Sequence, residues 1–500
     1  MAQTINTNIA SLTAQRNLAA SQKDAATAMQ RLSSGLRINS AKDDAAGLSI
    51  ASRLTTQIQG MNQAMRNVND GISLTQTAEG ALSESTTLLQ RMRELAIQSA
   101  NTTNSASDRV ALQAEVSQLK TELTTISTGT KFNNVALLDG TFTNKTFQTG
   151  AGATDTMAVS ISGTGSADLG VNTFSASNTT ANQGLTATVA ANASAQANNT
   201  VAADTVTVTG SLGTAAVSIA ANATAGEIAT AVNAETASTN VSAIGKTQVT
   251  LDTLSSNGTV TFTLSSGGDT ASISATVTTT DLTELGAQVN LTTGTHGITA
   301  SVSGGAMTLT HATGNDIIIT DFDHSTGGET INVDVLNAAG SVVDTETLTD
   351  AGTDSTNAAG FVTFSSNQAF TVTSAKAAAA GSIDSAGANT SNSSSSTKVS
   401  AIDIGTQSGA TSALAVIDAA LDRVNSIRAD LGALRSRFES RANNLATTSE
   451  NLSVARSRIE DADFAQETAS LAKSQILQQA GISVLAQANA QPQNVLALLQ

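Results

Sequence analysis

The chain is 500 residues long and 40% apolar, has no Cys, Trp or Tyr and 11 Phe, and carries a formal net charge of −16. Such a length implies roughly two to four domains, with cores of Leu, Ile, Val, Met and Ala that suit closely packed helices. The acidic balance argues against a nucleic-acid partner, whose phosphates need Lys and Arg; the missing Cys removes disulfides; and without a run of about 18 apolar residues no membrane insertion is expected.

Residues 1–140 and 401–500 follow helical periods. The opening MAQTINTNIASLTAQ has neither the basic region nor the apolar region of a secretory signal peptide. A sparse apolar stripe runs Ile5, Ile9, Leu12, Leu18, Ala25, Met29, Leu32 and Leu36. Leu54, Ile58, Met61, Met65, Val68 and Ile72 alternate spacings of four and three, and the frame continues through Leu82 and Leu89. This predicts a coiled-coil or bundle helix. The polar stretch Asn101–Asp108 should break that helix and cap the next, whose seam is Leu112, Val116, Leu119, Leu123 and Ile126.

Residues 141–400 are rich in Thr, Ser, Gly, Ala and Val and alternate as half-buried strands do, as in Thr205–Thr209 and Thr259–Leu264. They hold four Lys, no Arg and 19 acidic residues, which leaves 20 basic and 21 acidic residues for the two ends. Nearly neutral ends can stack on copies of themselves; an acidic middle stays solvated and repels its neighbours. Glu227–Ile228 with Val232–Asn233 matches Glu284–Leu285 with Val289–Asn290, each preceded by Ser–Ile, at 218–219 and 272–273. We read an internal repeat here, each copy a strand, a short helix and further strands. Ser391–Thr397 reads as a flexible link.

The C-terminal seam of Leu414, Ile417, Leu421, Val424, Leu431, Phe438, Leu445, Leu452 and Ile459 spans more than six heptads, interrupted at Arg428 and Arg435. Phe464, Leu471, Ile482, Leu485, Leu496 and Leu499 form a last sparse stripe. Neither terminal stripe can bury itself. The termini are therefore expected to pair with each other and with other molecules, and to be disordered in the monomer. The expected fold class is α+β and multidomain, with N- and C-terminal helices paired as a coiled coil or bundle and a β-rich central region.

Enzyme chemistry has little support. His296, His311 and His324 are the three histidines, and there is no H-E-x-x-H. Asp321–Phe322–Asp323–His324 is the one metal-ligating candidate, and it reads better as solvated acids on a loop. Gly304–Gly305 reads as a hairpin turn, not a phosphate cradle. No catalytic, cofactor or metal site is expected.

Several segments resemble one family. Arg31–Leu–Ser–Ser–Gly–Leu–Arg–Ile–Asn–Ser–Ala–Lys–Asp–Asp–Ala–Ala–Gly–Leu–Ser–Ile50 resembles the N-terminal segment of bacterial flagellins, and Gln90–Asn101 the helix that follows it. Phe132–Gly140 and Phe147–Gly150 resemble the family's turn-and-hairpin region; Ser457–Phe464 and Asn494–Leu499 resemble its C-terminal signature. The resemblance covers about 240 residues, in order and at both ends. It implies an inner coiled-coil domain from residues 1–44 and 457–500, a helical bundle with a β-hairpin from 45–175 and 401–456, and an outer variable region over 176–400 with two insertion-type repeats. It implies a structural subunit of the extracellular flagellar filament that serves swimming motility and is exported by the flagellar type III apparatus.

The implied partners are other copies of the chain, an export chaperone, the filament cap and the hook-junction proteins. Polymerisation is expected to rest on Ile5, Ile9, Leu12, Leu32, Leu36, Leu471, Ile482, Leu485, Leu496 and Leu499. Arg91, Leu95 and Glu115 match flagellin positions contacted by the vertebrate Toll-like flagellin receptor, although Leu95 also reads as bundle core and Glu115 as an ordinary surface acid. Leu496, Leu498 and Leu499 match C-terminal leucines read by cytosolic sensors. The competing readings are a hook–filament junction protein and a coiled-coil surface adhesin, which would need a signal peptide or an anchor.

Overall fold

A computed structural model describes residues 7–193 and 198–498, with side chains at the C-terminal end as far as Ala490. The helices are α1 (Ile9–Ser34), α2 (Ala45–Ala100), α3 (Ala106–Gly129), α4 (Ala225–Ala234), α5 (Thr236–Thr239), α6 (Thr283–Leu291), α7 (Thr293–His296), α8 (Gln407–Glu460) and α9 (Phe464–Leu498). The strands are β1 (Lys131–Phe132), β2 (Val135–Ala136), β3 (Lys145–Gln148), β4 (Thr156–Val159), β5 (Gly170–Ala176), β6 (Asp204–Thr209), β7 (Thr214–Ile219), β8 (Ser242–Asp252), β9 (Gly258–Ser266) and β10 (Asp269–Val277). They continue as β11 (Ile298–Ser303), β12 (Ala306–His311), β13 (Ile317–His324), β14 (Thr330–Leu336), β15 (Val342–Thr349), β16 (Thr356–Ala358), β17 (Phe361–Ser366), β18 (Thr371–Ser374), β19 (Ser391–Ser393) and β20 (Ser395–Lys398). No described helix is long and apolar enough to cross a membrane. The α+β class holds: long helices at both ends and a strand-rich middle.

The chain divides into two compact units. One comprises residues through Glu79, Phe142–Ile161 and Ala429 onward; the other comprises Gly80–Thr141 and Ser162–Arg428.

In the first unit the start of α2 runs antiparallel to the end of α8. Ser449 Oγ donates to Asn62 Oδ1 at 3.2 Å, and Arg456 Nη1 reaches Thr55 Oγ1. The seam is Ala51, Ile58, Ala64 and Val68 against Leu431, Phe438 and Leu445, all buried. Phe438 needs room that only glycine leaves, since a Cβ on Gly71 would stand 2.7 Å from its Cζ. The β3–β4 hairpin closes over this point. Phe147 meets Phe438 edge-on with centroids 5.5 Å apart, Asn67 Nδ2 donates to Gln148 O, and Arg441 Nε donates to Thr149 O.

In the second unit α2 ends at Ala100, and the polar stretch restarts the chain as α3 through a capping box. Ser105 Oγ accepts from Asp108 N, and the Asp108 carboxylate accepts from Ser105 N. Asn133 and Asn134, both at positive φ, form the two-residue turn between β1 and β2. The helical core collects Leu82, Leu89, Met92, Leu95, Val116, Leu123, Ile417 and Val424.

The strand-rich part is built on an internal repeat with a constant offset. Asn233 Nδ2 donates to Ala243 O and Asn233 Oδ1 accepts from Ala243 N, at 2.8 and 2.7 Å; Asn290 makes the same pair with Ala300 at 2.9 and 2.8 Å. Thr236 Oγ1 donates to Val241 O as Thr293 Oγ1 donates to Ile298 O. Asn240 and Gly297 hold the left-handed positions that turn the short helices into β8 and β11. Each copy is thus a hairpin, a helix pair and a strand: β6–β7–α4–α5–β8, then β9–β10–α6–α7–β11.

The sheets close around two buried clusters. One is built on Val206, Val217, Ile228, Val232 and Phe364, the other on Phe262, Ile273, Leu285, Leu309 and Phe322. Gly304, at φ 64, turns β11 into β12, so Gly304–Gly305 is a hairpin turn. The expectation of a flexible link at Ser391–Thr397 is wrong. β19 pairs with β18 and β20 pairs with β5, so this Ser-rich segment supplies two edge strands. Edge positions are solvated on one side and accept Ser without penalty.

Candidate assembly surfaces

The first surface is the α1–α9 pair. Asn8 caps α1, accepting from Ser11 N at 3.1 Å, and its Nδ2 donates to Ala488 O at 2.8 Å. Ser11 Oγ donates to Asn489 Oδ1, and further along Arg31 pairs with Glu467 at 3.0 Å. The helices are therefore antiparallel. Their seam is made of small side chains: Ser11, Ala14, Ala25, Ala28, Ser474 and Ala488 are buried. Leu18 packs beside Gly481 at the edge of this seam, while other large apolar side chains of the two helices are exposed. Ile9 is 67% exposed and Ile476 66%, and Leu12, Met29, Phe464, Leu477, Ile482 and Val484 are exposed as well.

This inverts the simple expectation for an amphipathic pair, in which the large residues would lie inside. Small residues let the backbones approach closely, and they leave the larger hydrophobic surface uncovered. Of the residues expected to carry polymerisation, Ile9, Leu12 and Ile482 are exposed. Leu32, Leu36, Leu471 and Leu485 are half-buried. Ile5 and Leu499 lie outside the described residues, as do the side chains of Leu496 and Leu498. Sequence reasoning missed Ile476, Leu477 and Val484, which stand off the stripe it followed; three large apolar residues close together on a lone terminal helix were the available signal.

The segment Arg31–Ile50 ends α1, turns and begins α2. Gly35, at φ 74, ends α1 with its N–H on Arg31 O. The chain then meets the break between α8 and α9: Leu36 bridges Asp461, Arg37 N donates to Glu460 O at 2.7 Å, and Ala462 N donates to Gly35 O at 2.9 Å. Asp43 Oδ2 accepts from Ser40 Oγ, Ser40 N and Asn39 N. Those hydrogen bonds, the Ser40 hydroxyl first, hold its carboxyl below the ordinary range. Asp44 Oδ1 accepts from Gly47 N at 2.8 Å, and a Cβ on Gly47 would collide with Asp44 and with buried Ile38.

The second surface is the face of α2 and α3 in the second unit. Arg91 pairs with Glu115 at 2.9 Å and with Glu94 at 3.0 Å. Those carboxylates, Glu94 first, raise its affinity for its proton further. Leu95 is 1% exposed. It sits on the inward row of α2 with Leu82, Leu89 and Met92, which leaves Arg91 and Glu115 as the exposed members of the expected set. Asp321 and Asp323 are exposed while Phe322 and His324 are buried. The strand alternates these side chains between two faces, so they do not converge on a metal.

Comparison with known proteins matches the same regions. The family description "bacterial flagellin N-terminal helical region" matches residues 5–143, and "bacterial flagellin C-terminal helical region" matches residues 414–499. The chain is 43% identical to the B-type flagellin of Pseudomonas aeruginosa, 38% to the flagellin of Salmonella rubislaw and 34% to flagellin C of Vibrio cholerae, each over the full length of both chains. Among solved structures, FliC from Burkholderia pseudomallei is similar at 17% identity and a TM-score of 0.30, covering 74% of this chain and 99% of that one. Flagellar hook associated protein-3 from Legionella pneumophila is similar at 13% and 0.36, covering 82% and 98%. Those two structural likenesses are too slight to add weight, and the full-length sequence identity decides the matter: the chain belongs to the bacterial flagellin family, whose members are structural subunits of the extracellular flagellar filament and not enzymes.

Proposed function

We propose that this subunit polymerises through the exposed apolar side chains of its α1–α9 pair. The observation that supports the reading is a seam whose fully buried residues are mostly Ala and Ser, beside exposed Ile9, Leu12, Met29, Phe464, Ile476, Leu477, Ile482 and Val484. Burying one such side chain against a neighbouring copy is worth about 1.5–3 kcal/mol. Ordering each residue costs about 1–2 kcal/mol in backbone entropy, which an Ala-lined seam offsets poorly, so neighbours complete the ordering of both ends. Residues 1–44 and 457–500 then form the inner part of the filament, 45–175 and 401–456 the bundle around it, and 176–400 the outward region. The acidic charge of that last segment supports its outward place. The export chaperone, filament cap and hook-junction proteins are the further partners this role requires.

The test replaces Ile476 and Ile482 together by Asp. The variant should keep the monomer's melting curve, stay soluble where the parent chain sediments as filaments, and remain open to trypsin at both ends. Normal filaments from it would refute the assignment. A second reading concerns Arg91 and Glu115, the exposed ion pair. We infer that they form the charged part of a surface for a host Toll-like receptor, with Leu95 acting from beneath by fixing α2.

A further inference from the structure

The composition leaves few side chains that a two-electron oxidant attacks readily. With no Cys, Trp or Tyr in the chain, those groups are the three His and seven Met. His296, His311 and His324 are all buried. Met92 and Met307 are fully buried, and Met61, Met65 and Met157 are half-buried. Met1 lies outside the described residues. Met29, on α1, is 55% exposed and is the one exposed methionine among the described residues.

Met29 also stands where assembly needs apolar surface. It follows Ala25 and Ala28, both buried in the α1–α9 seam, and precedes half-buried Leu32. Resting on the polymerisation reading above, we propose that Met29 is a reversible oxidation site that blocks assembly of the free subunit. The oxidant is a hydroperoxide, of which hydrogen peroxide is the simplest. A lone pair on Sδ attacks one peroxide oxygen; the S–O bond forms as the O–O bond breaks. Sulfur gives up two electrons and the peroxide is reduced. The departing oxygen takes the proton of the transferred one and leaves as water, so thioether and hydrogen peroxide give sulfoxide and water.

The product alters the surface and spares the helix pair. A thioether is apolar and adapts to an irregular neighbour; a sulfoxide is polar and carries an acceptor oxygen. In the monomer that oxygen reaches water, so the buried seam of Ala14, Ala25, Ala28 and Ser474 is untouched. Against a neighbouring copy it must lose its water, and an apolar contact offers no donor in return. The penalty therefore falls on assembly and not on folding. A Met29 already covered by a neighbour is closed to the oxidant, so the order of events decides the outcome: peroxide acts on the free subunit and spares the polymer.

The experiment treats full-length monomer with hydrogen peroxide and maps the added oxygen by peptide mass. It then reads the critical concentration for seeded filament growth by sedimentation. Among the described methionines, oxygen should enter Met29 first. The critical concentration should rise about tenfold or more, the loss expected when one apolar side chain no longer gains from burial. The melting curve should not move. Methionine sulfoxide reductase should restore assembly, a result read on the parent chain alone and so independent of how any variant folds. Met29→Leu keeps the apolar volume without the sulfur, and it should assemble equally well before and after peroxide. Three results would each overturn the inference: oxygen entering Met61, Met65 or Met157 before Met29, oxidised parent that assembles like untreated parent, or Met29→Leu that loses assembly as the parent does. An untreated parent chain that forms no filaments would instead overturn the polymerisation reading, and this inference with it.

Discussion

Gly71 and Gly80 lie on the same helix, and the structure assigns them opposite responses to the same substitution. A helical Gly→Ala change ordinarily stabilises by about 1 kcal/mol, because alanine loses less backbone freedom on folding. At Gly80 nothing lies within 4 Å of the added Cβ, so the full gain is expected. At Gly71 the Cβ would stand 2.7 Å from Phe438 Cζ and 3.0 Å from two further ring atoms. That ring is fully buried and held edge-on by Phe147, so it cannot swing aside. Overpacking of this kind costs about 1–3 kcal/mol. Set against that gain, the net change should run from about zero to a loss of about 2 kcal/mol, which places the two alanine variants about 1–3 kcal/mol apart. Urea unfolding of the monomer, followed by helical circular dichroism, reads the difference. Phe438→Leu shortens the obstacle, and in that background Gly71→Ala should return to mild stabilisation, a coupling of at least about 1 kcal/mol. If Gly71→Ala stabilised the parent chain as Gly80→Ala does, the ring would not be fixed as described and the account of the hairpin's docking would fall with it.

Other consequences can be checked alongside. Asn233→Ala and Asn290→Ala each strip two hydrogen bonds from a strand backbone and should each cost about 1–2 kcal/mol by denaturant unfolding of the strand-rich region. Burial lowers the proton affinity of His296 and His311. The unfolded chain therefore takes up protons first, and the opening constants of α7 and β12, read by amide exchange corrected for intrinsic rates, should rise as pH falls below about 6.5. Arg91→Ala should shift melting by less than about 1 kcal/mol, as exposed ion pairs do, while lowering receptor activation by monomer about tenfold. Unchanged signalling would remove Arg91 from that surface.

Much of this architecture was legible in the sequence. The four-three spacing from Leu54 to Ile72 marked the helix that pairs with the seam from Leu431 to Leu445. Ser105 and Asp108 marked a restart, and the Glu227 and Glu284 segments marked a duplication. What stayed hidden has a common cause: hydropathy does not register a contact made by small or polar groups. The α1–α9 seam rests on Ala14, Ala25, Ala28 and Ser474, which carry too little signal to show which side of a helix faces its partner. Ser391–Lys398 looks like a linker because an edge strand is held by its backbone and leaves side-chain choice free. Leu95 sits one helical turn from exposed Arg91, and spacing alone cannot tell the rim of a buried stripe from its centre.

The turn at Gly35 also sets what a bend at this point would do to the two ends of the chain. Its two breaks, more than 400 residues apart in the chain, are stitched at one level by Arg37 N on Glu460 O and Ala462 N on Gly35 O. Any change of direction there therefore creases both chains at the same height. Neither α1 nor α9 has to slide along the other, so the contacts from Asn8 to Ala488 and from Arg31 to Glu467 keep their register. A rod built this way can alter its angle without altering its length, which a polymer of identical rods needs if every copy is to accommodate curvature without losing step with its neighbours.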